Sequence, residues 1–142
     1  MNPKDTESLE SIEKEWIEED LKTERVKELS KRTMKFTSMG QDGTVELKNE
    51  AENIALKNKI WLLLVARYLA NKLQTELDRE EVVSPEVTTS EFADMLHKEK
   101  KIISARLSDL KKDGKVKNPS RGVYKANPYK IENLFRKIEK EN

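Results

Sequence analysis

"VTTSEFADMLHKEKKIISARLSDLKKDGKVKNPSRGVYKA", residues 87–126, is the stretch of the chain that decides the fold. Thr88 is followed three residues later by Glu91, which is the spacing of a capping box at the start of a helix. A short helix should therefore begin here and run to a break at residues 97–99. A second helix is predicted over residues 100–113, and Gly114 should end it in the left-handed conformation.

The second helix combines an apolar face with a face of small and basic residues. Ile103, Leu107 and Leu110 recur at i, i+4 and i+7, which predicts a buried stripe. The side opposite the stripe presents Lys101, Ala105, Ser108 and Lys112, and Lys100, Ser104 and Lys111 flank them. Ala and Ser permit close approach to a groove, and Lys neutralises phosphates or contacts guanine. This face is therefore a candidate for nucleic-acid binding.

A short β-hairpin is predicted after the second helix. "KVK" and "VYK" read as two strands, with Val116 paired against Val123 and Tyr124. Turn residues lie between them, namely Asn118, Pro119 and Gly122. Arg121 is predicted at the tip of this hairpin.

The charge of the chain is unevenly distributed. Residues 98–125 hold ten Lys or Arg and three Asp or Glu, a local net charge of +7, whereas the whole chain is +1. Residues 1–58 carry ten basic and fourteen acidic side chains, a net charge of −4. This asymmetry favours an acidic arm and a basic working surface, although a Lys-rich helix can also be only a solvated face.

Two short helices, the second of them basic, followed by a basic hairpin resemble the winged helix-turn-helix family. The likeness covers residues 87–126, and "ARLSDLKKDGKV" with "RGVYK" is similar to the recognition helix and wing of small prokaryotic regulators. The whole chain also resembles a group of small, largely uncharacterised archaeal proteins in which a hairpin and a long helix precede the winged helix. The turn between the helices departs from the family pattern, which usually has a small residue, often Gly, and then an apolar one, where this chain has His97 and Lys98.

The resemblance implies a set of DNA-contacting residues. The second helix would enter the major groove, with Lys100, Lys101, Ser104, Ala105 and Ser108 nearest the bases. Lys117 and Arg121 on the wing would meet the backbone or the minor groove. The complete candidate interface comprises Lys98, Lys100, Lys101, Ser104, Ala105, Ser108, Lys111, Lys112, Lys117, Arg121 and Lys125.

The fold class predicted for the whole chain is α+β and mostly helical, in four segments. Residues 1–32 form an acidic N-terminal arm, helical from about Thr6 to Arg32, with an apolar stripe of Leu9, Ile12 and Trp16. Residues 33–84 contain a β-hairpin, turned at Asp42-Gly43, and a long central helix over 49–77 with Trp61 and Tyr68 in the core. Residues 85–128 form the winged helix-turn-helix. Residues 129–142 form a C-terminal helix that should pack on the central helix through Ile131, Leu134, Phe135 and Ile138.

Several functional classes are not expected from these residues. The chain has no cysteine, a single histidine (His97) and only four glycines, each explained by a turn or a helix end. We therefore expect neither an enzyme nor a cofactor or metal site. The most apolar run, residues 60–70, is about half the length that a membrane span needs. Together with a polar N-terminus unlike a signal peptide, it favours a cytoplasmic protein without a membrane partner.

The leading hypothesis is a transcriptional regulator that binds double-stranded DNA through the second helix and the wing. The alternative is a winged helix that mediates protein–protein interaction or assembly without binding nucleic acid. RNA binding through the same basic face is a third hypothesis. A homodimer formed through the flanking helices would present two recognition helices to two half-sites.

Overall fold

The computed structural model describes residues 8–16, 21–41 and 44–141, and these form an α+β fold. The described residues contain six α-helices and five short strands in two antiparallel sheets. The helices are α1 (Leu9–Trp16), α2 (Thr23–Thr33), α3 (Leu56–Glu76), α4 (Thr89–Leu96), α5 (Lys100–Lys112) and α6 (Ile131–Glu141). The strands are β1 (Thr37–Met39), β2 (Val45–Leu47), β3 (Val87–Thr88), β4 (Val116–Ser120) and β5 (Val123–Ala126).

The N-terminal arm is not the single helix predicted over residues 6–32. Leu21 and Lys22 are not helical, and α2 begins afresh after the extended Lys22. Val26 and Leu29 lie off the apolar stripe of α1 because they belong to a second helix, where they are buried. Residues 6–7 and 17–20 of the predicted helix, and the side chain of Trp16, lie outside the described part.

The N-terminal hairpin, β1 and β2, confirms the predicted hairpin over residues 34–48. Thr37 pairs with Leu47 and Met39 with Val45 in an antiparallel register. Phe36 and Val45 are buried against the core, whereas Met34, also predicted on the inner side, is exposed in the turn that follows α2. The predicted turn at Asp42-Gly43 falls outside the described residues.

Helix α3 is the centre of the fold. Residues 60–66 are buried around the whole circumference because α2, α5, α6 and both sheets pack on this helix. Trp61 and Tyr68 are core residues, as predicted. The helix begins at Leu56 rather than at residue 49, since Asn49–Ala51 forms a 3-10 turn. No helix in residues 8–16, 21–41 and 44–141 is long and apolar enough to cross a membrane.

Polar side chains of α3 hold the loop that leads into the C-terminal half. Arg67 donates from Nε to the carbonyl oxygen of Ser84 at 2.9 Å, and its Nη1 lies 3.3 Å from Oε2 of Glu91. Asn71 donates to the carbonyl oxygen of Val83 at 2.9 Å. Arg67, which interrupts the most apolar stretch of the sequence, thus fixes the start of α4 relative to the central helix.

The C-terminal helix α6 packs on α3, as predicted, and is tied to α2 by charge. Its apolar stripe, Ile131, Leu134, Phe135 and Ile138, is fully buried. Arg25 and Arg32 of α2 both donate to Oε2 of Glu132, at 2.9 and 2.7 Å. Partial burial works to raise the pKa of Glu132, but the two arginines outweigh it and lower that pKa below its ordinary value. The N- and C-terminal parts of the chain therefore stabilise each other.

The second sheet has an additional strand that the sequence patterns did not predict. Its strand order is β3-β5-β4, and Val87 pairs with Tyr124 while Thr88 pairs with Val123. Because β3 directly precedes α4, this pairing attaches the start of α4 to the C-terminal hairpin, β4 and β5. Strand β3 is only two residues long, which is too short for an alternating pattern of apolar and polar residues to indicate it.

Candidate nucleic-acid interface

The two helices α4 and α5 are joined by residues 97–99, as the sequence predicts. The capping box at the start of α4 is present: Thr88 Oγ1 accepts from the Glu91 N–H at 3.1 Å, and the Glu91 carboxylate accepts from the Thr88 N–H. His97 ends the helix in the left-handed conformation, with φ 53°. A non-glycine residue pays a steric penalty there, which glycine would avoid.

Helix α5 has the two faces predicted from its periodicity. Ile103, Leu107 and Leu110 are fully buried against the core. All of the candidate residues on or just before the helix are exposed. We call this group the basic face, and it consists of Lys98, Lys100, Lys101, Ser104, Ala105, Ser108, Lys111 and Lys112. Gly114 follows α5 with φ +72°, in agreement with the predicted helix end.

The register of the C-terminal hairpin differs from the prediction. Val116 pairs with Ala126, and Ser120 with Val123, rather than Val116 with Val123 and Tyr124. Strand β4 continues through Asn118 and Pro119, where its register is irregular. The turn between β4 and β5 therefore consists of two residues, Arg121 and Gly122. Pro119 fits this place because β4 is an edge strand with a bulge, where a missing N–H breaks no ladder. Gly122 supplies the positive φ of the turn.

Asn118 connects the hairpin to α5. Its Nδ2 donates to the carbonyl oxygens of Ser120 and Val123, at 2.6 and 2.7 Å, while its Oδ1 accepts from Nζ of Lys111 at 3.1 Å. The hairpin tip is therefore held beside the last turn of α5. The sequence patterns identified Asn118 only as a turn residue. Its contact with Lys111 joins a helix to a strand, and no local sequence pattern indicates such a contact.

The hairpin brings the remaining candidate residues into one neighbourhood. Lys117 and Lys125 are cross-strand partners and are half-buried, and Arg121 is exposed at the tip. Two lysines that face each other across a ladder repel, so their positive charge is not arranged to stabilise the sheet.

Most of the positive charge in this region has no carboxylate partner. Arg106 pairs with Asp109 within α5 at 3.8 Å. Within residues 8–16, 21–41 and 44–141, no ion pair joins Lys100, Lys101, Lys112 or Arg121 to a carboxylate. Exposed, unpaired cations at the end of a helix and on an adjacent loop can bind a polyanion without first breaking internal contacts.

Lys115 is basic but belongs to the core side of the hairpin. Its side chain is 12% exposed, and Nζ lies 4.9 Å from the centre of the Trp61 ring. Burial and the nearby ammonium group of Lys137 lower the pKa of Lys115 below its ordinary value. This residue contributes to the local charge of +7 but not to the exposed candidate interface.

Comparison of the chain with protein-family models, with curated proteins and with solved structures finds no match.

Proposed function

We propose that residues 87–126 form a winged helix-turn-helix that binds duplex DNA, with α5 as the recognition helix and the C-terminal hairpin as the wing. Three features support the fold part of this proposal: two helices joined by three residues, a hairpin directly after the second helix, and a first strand that pairs with that hairpin. This order of elements matches the docking arrangement of helix-turn-helix proteins.

The observation that carries the DNA-binding part is the unpaired positive charge of the basic face. Lys100 and Lys101 lie at the N-terminal end of α5, which is the end that contacts base edges in helix-turn-helix complexes. Ser104, Ala105 and Ser108 follow on the same exposed surface, where their small size permits a close approach to the groove floor. The role of transcriptional regulator follows from this binding mode and is part of the same proposal.

The test is a binding measurement over a range of salt concentrations with a random duplex. The variant Lys100→Ala/Lys101→Ala/Arg121→Ala should bind less tightly than the parent. If each residue contacts one phosphate, the slope of log K against log salt should fall by about 0.9 for each contact. Fluorescence anisotropy of a labelled duplex of about 20 base pairs measures both quantities.

The matched control removes the same charges elsewhere. Lys22, Arg136 and Lys140 are exposed and lie on α6 or immediately before α2. The variant Lys22→Ala/Arg136→Ala/Lys140→Ala has the same loss of two Lys and one Arg, and we expect it to bind DNA nearly as the parent does. Equal weakening by both triple variants would mean that the affinity follows net charge and not the proposed face.

A protein-binding role is the second candidate, and one residue favours it. Ile102 is 43% exposed on α5, between the lysines of the basic face and the buried stripe. In a DNA complex this side chain would contact a thymine methyl group, whereas in a protein interface it would be a buried apolar contact. If duplex DNA moves no amide signals of α5 in an NMR titration, the DNA proposal fails and the protein-binding role is favoured.

A homodimer that presents two basic faces extends the proposal. Helix α6, which follows the winged helix, cannot pair through its apolar stripe because that stripe is buried on α3. The N-terminal arm remains as the dimerisation element.

A further inference from the structure

An apolar groove opens between α2, the N-terminal hairpin and the second half of α3. Its volume is about 360 Å³, and its walls include Met34, Met39, Val45, Leu69 and Leu73. Met34 is 62% and Met39 45% exposed. Apolar residues exposed together around a concavity, rather than scattered singly, mark a site of interaction.

The groove also contains an unsatisfied polar atom. Ser30 Oγ, in its wall, is buried and forms no hydrogen bond with any residue of the described part. Buried hydroxyl groups are normally hydrogen-bonded, so this wall is incomplete in the isolated chain. A ligand that covers the groove would gain mainly from its apolar walls.

Helix α1 is amphipathic, and two residues of its apolar stripe are exposed to solvent. Its start is specified locally, since Ser8 Oγ accepts from the Ser11 N–H at 3.0 Å and caps the first turn. Leu9 is 85% and Ile12 42% exposed, and neither side chain is part of the core. An isolated helix of eight residues is unstable in water unless its apolar side packs on something.

The charges around the two surfaces are opposite. Residues 7–20 contain seven Asp or Glu and one Lys, and of these Glu10 and Glu13 are exposed on α1. Lys48 lines the groove, and Lys31 and Lys35 are exposed beside the groove residues of α2 and the following turn. An acidic helix with an apolar stripe thus complements an apolar groove with a basic rim.

We infer that α1 of one copy of this chain docks in the groove of a second copy, with the exchange reciprocated. Within a single copy, Leu9 and Ile12 stay exposed, and neither of them lines the groove. Reciprocal exchange covers both surfaces of both copies by two equivalent contacts related by one twofold axis, which closes the assembly at a dimer. Each arm is short, so the dimer depends on two contacts acting together. The inference concerns only α1 and the groove and does not depend on DNA binding.

Disulfide trapping tests this contact directly, because the chain has no native cysteine. The single-cysteine variants Ile12→Cys and Met34→Cys are mixed and oxidised slowly. We expect a disulfide heterodimer, identified by its intact mass. The matched control mixes Met34→Cys with Val82→Cys, since Val82 is 43% exposed, as Ile12 is, but lies in the loop after α3. Its yield of heterodimer should be several-fold lower.

The inference is overturned if the two mixtures crosslink equally, or if only the double variant Ile12→Cys/Met34→Cys reacts, within one chain. The second result would mean that α1 folds into its own groove. Sedimentation of the full-length parent protein should show a dimer at about 100 µM that Leu9→Glu/Ile12→Glu converts to a monomer with an unchanged circular dichroism spectrum. A monomeric parent at that concentration would equally reject the dimer, while leaving the DNA proposal intact.

Discussion

Helices α5 and α6 bury similar apolar stripes and differ in their polar faces. Both are short and both pack large apolar residues against α3, but α5 carries a net charge of +4 and α6 a net charge of zero. On α6, the acidic residues Glu132 and Glu139 are bound by arginines of α2, and Arg32 also lies 4.7 Å from the centre of the Phe135 ring. Among the described residues, the only ion pair that involves α5 is the one within the helix between Arg106 and Asp109.

The two polar faces therefore differ in charge pairing as well as in net charge. The polar side of α6 holds α2 in place and is part of the fold. The polar side of α5 holds only the hairpin, through Lys111 and Asn118, and leaves the other cations of the basic face to solvent. Exposed cations without partners add little to stability, so their concentration here favours binding to something outside the chain.

The largest expected effect tests what the two helices share. Leu107 in α5 and Leu134 in α6 are both fully buried, so each change to Ala removes the same buried side chain from the core. We expect each variant to lose about 2–5 kcal/mol of unfolding free energy, from lost burial and from the cavity left behind. Urea denaturation followed by circular dichroism measures it. If Leu107→Ala cost less than about 1 kcal/mol, α5 would not be packed on α3 as described.

A smaller effect tests the polar face of α6. Glu132→Gln should lower the unfolding free energy by about 1 kcal/mol at neutral pH, because Arg25 and Arg32 lose their shared carboxylate and the pair is only partly buried. The control Glu52→Gln, at an exposed position after the 3-10 turn, should change it by less than about 0.5 kcal/mol.

The stability difference between the parent and Glu132→Gln should depend on pH. The pKa of Glu132 is lower in the folded than in the unfolded protein, so its carboxylate stabilises the fold above the unfolded pKa. That contribution is lost as pH falls through the lowered folded pKa. The difference between the parent and Glu132→Gln should therefore be full at pH 6–7 and shrink below about pH 4.5, the ordinary pKa of the group. A difference that persisted or grew at acid pH would show that Glu132 is not held by the arginines.

The smallest effect on stability is expected on α5. Lys100→Ala/Lys101→Ala/Arg121→Ala should change the unfolding free energy by no more than about 0.5 kcal/mol in either direction, because these side chains have no ion-pair partner in the described part of the chain. Thermal denaturation of the variant used for DNA binding provides this measurement. A large loss of stability would mean that the three side chains stabilise the fold, as Glu132 does. The contrast between the two helices would then be wrong.

Local patterns were sufficient to predict the helices of the C-terminal half. The capping box of Thr88 and Glu91, the stripe of α5 and the stop at Gly114 all depend on residues within one or two helical turns, and the structure confirms them. The hairpin was found, but its register was wrong, because pairing depends on the bulge at Asn118–Pro119 and on the β3 strand. The break between α1 and α2 was also missed. Its signal was present, since the apolar residues after Trp16 leave the stripe.

The sequence by itself determined which faces of the helices are apolar and where the positive charge is concentrated, because both follow from the order of neighbouring residues. Only the tertiary structure decided which charges are neutralised. Arg25 and Glu132 form an ion pair although they are 107 residues apart, and the ammonium group of Lys115 lies over the ring of Trp61 in α3. Partners at such separations meet only when the core has formed, so no local pattern predicts them. The same packing turns the basic residues of α5 outward and leaves the groove beside α2 open.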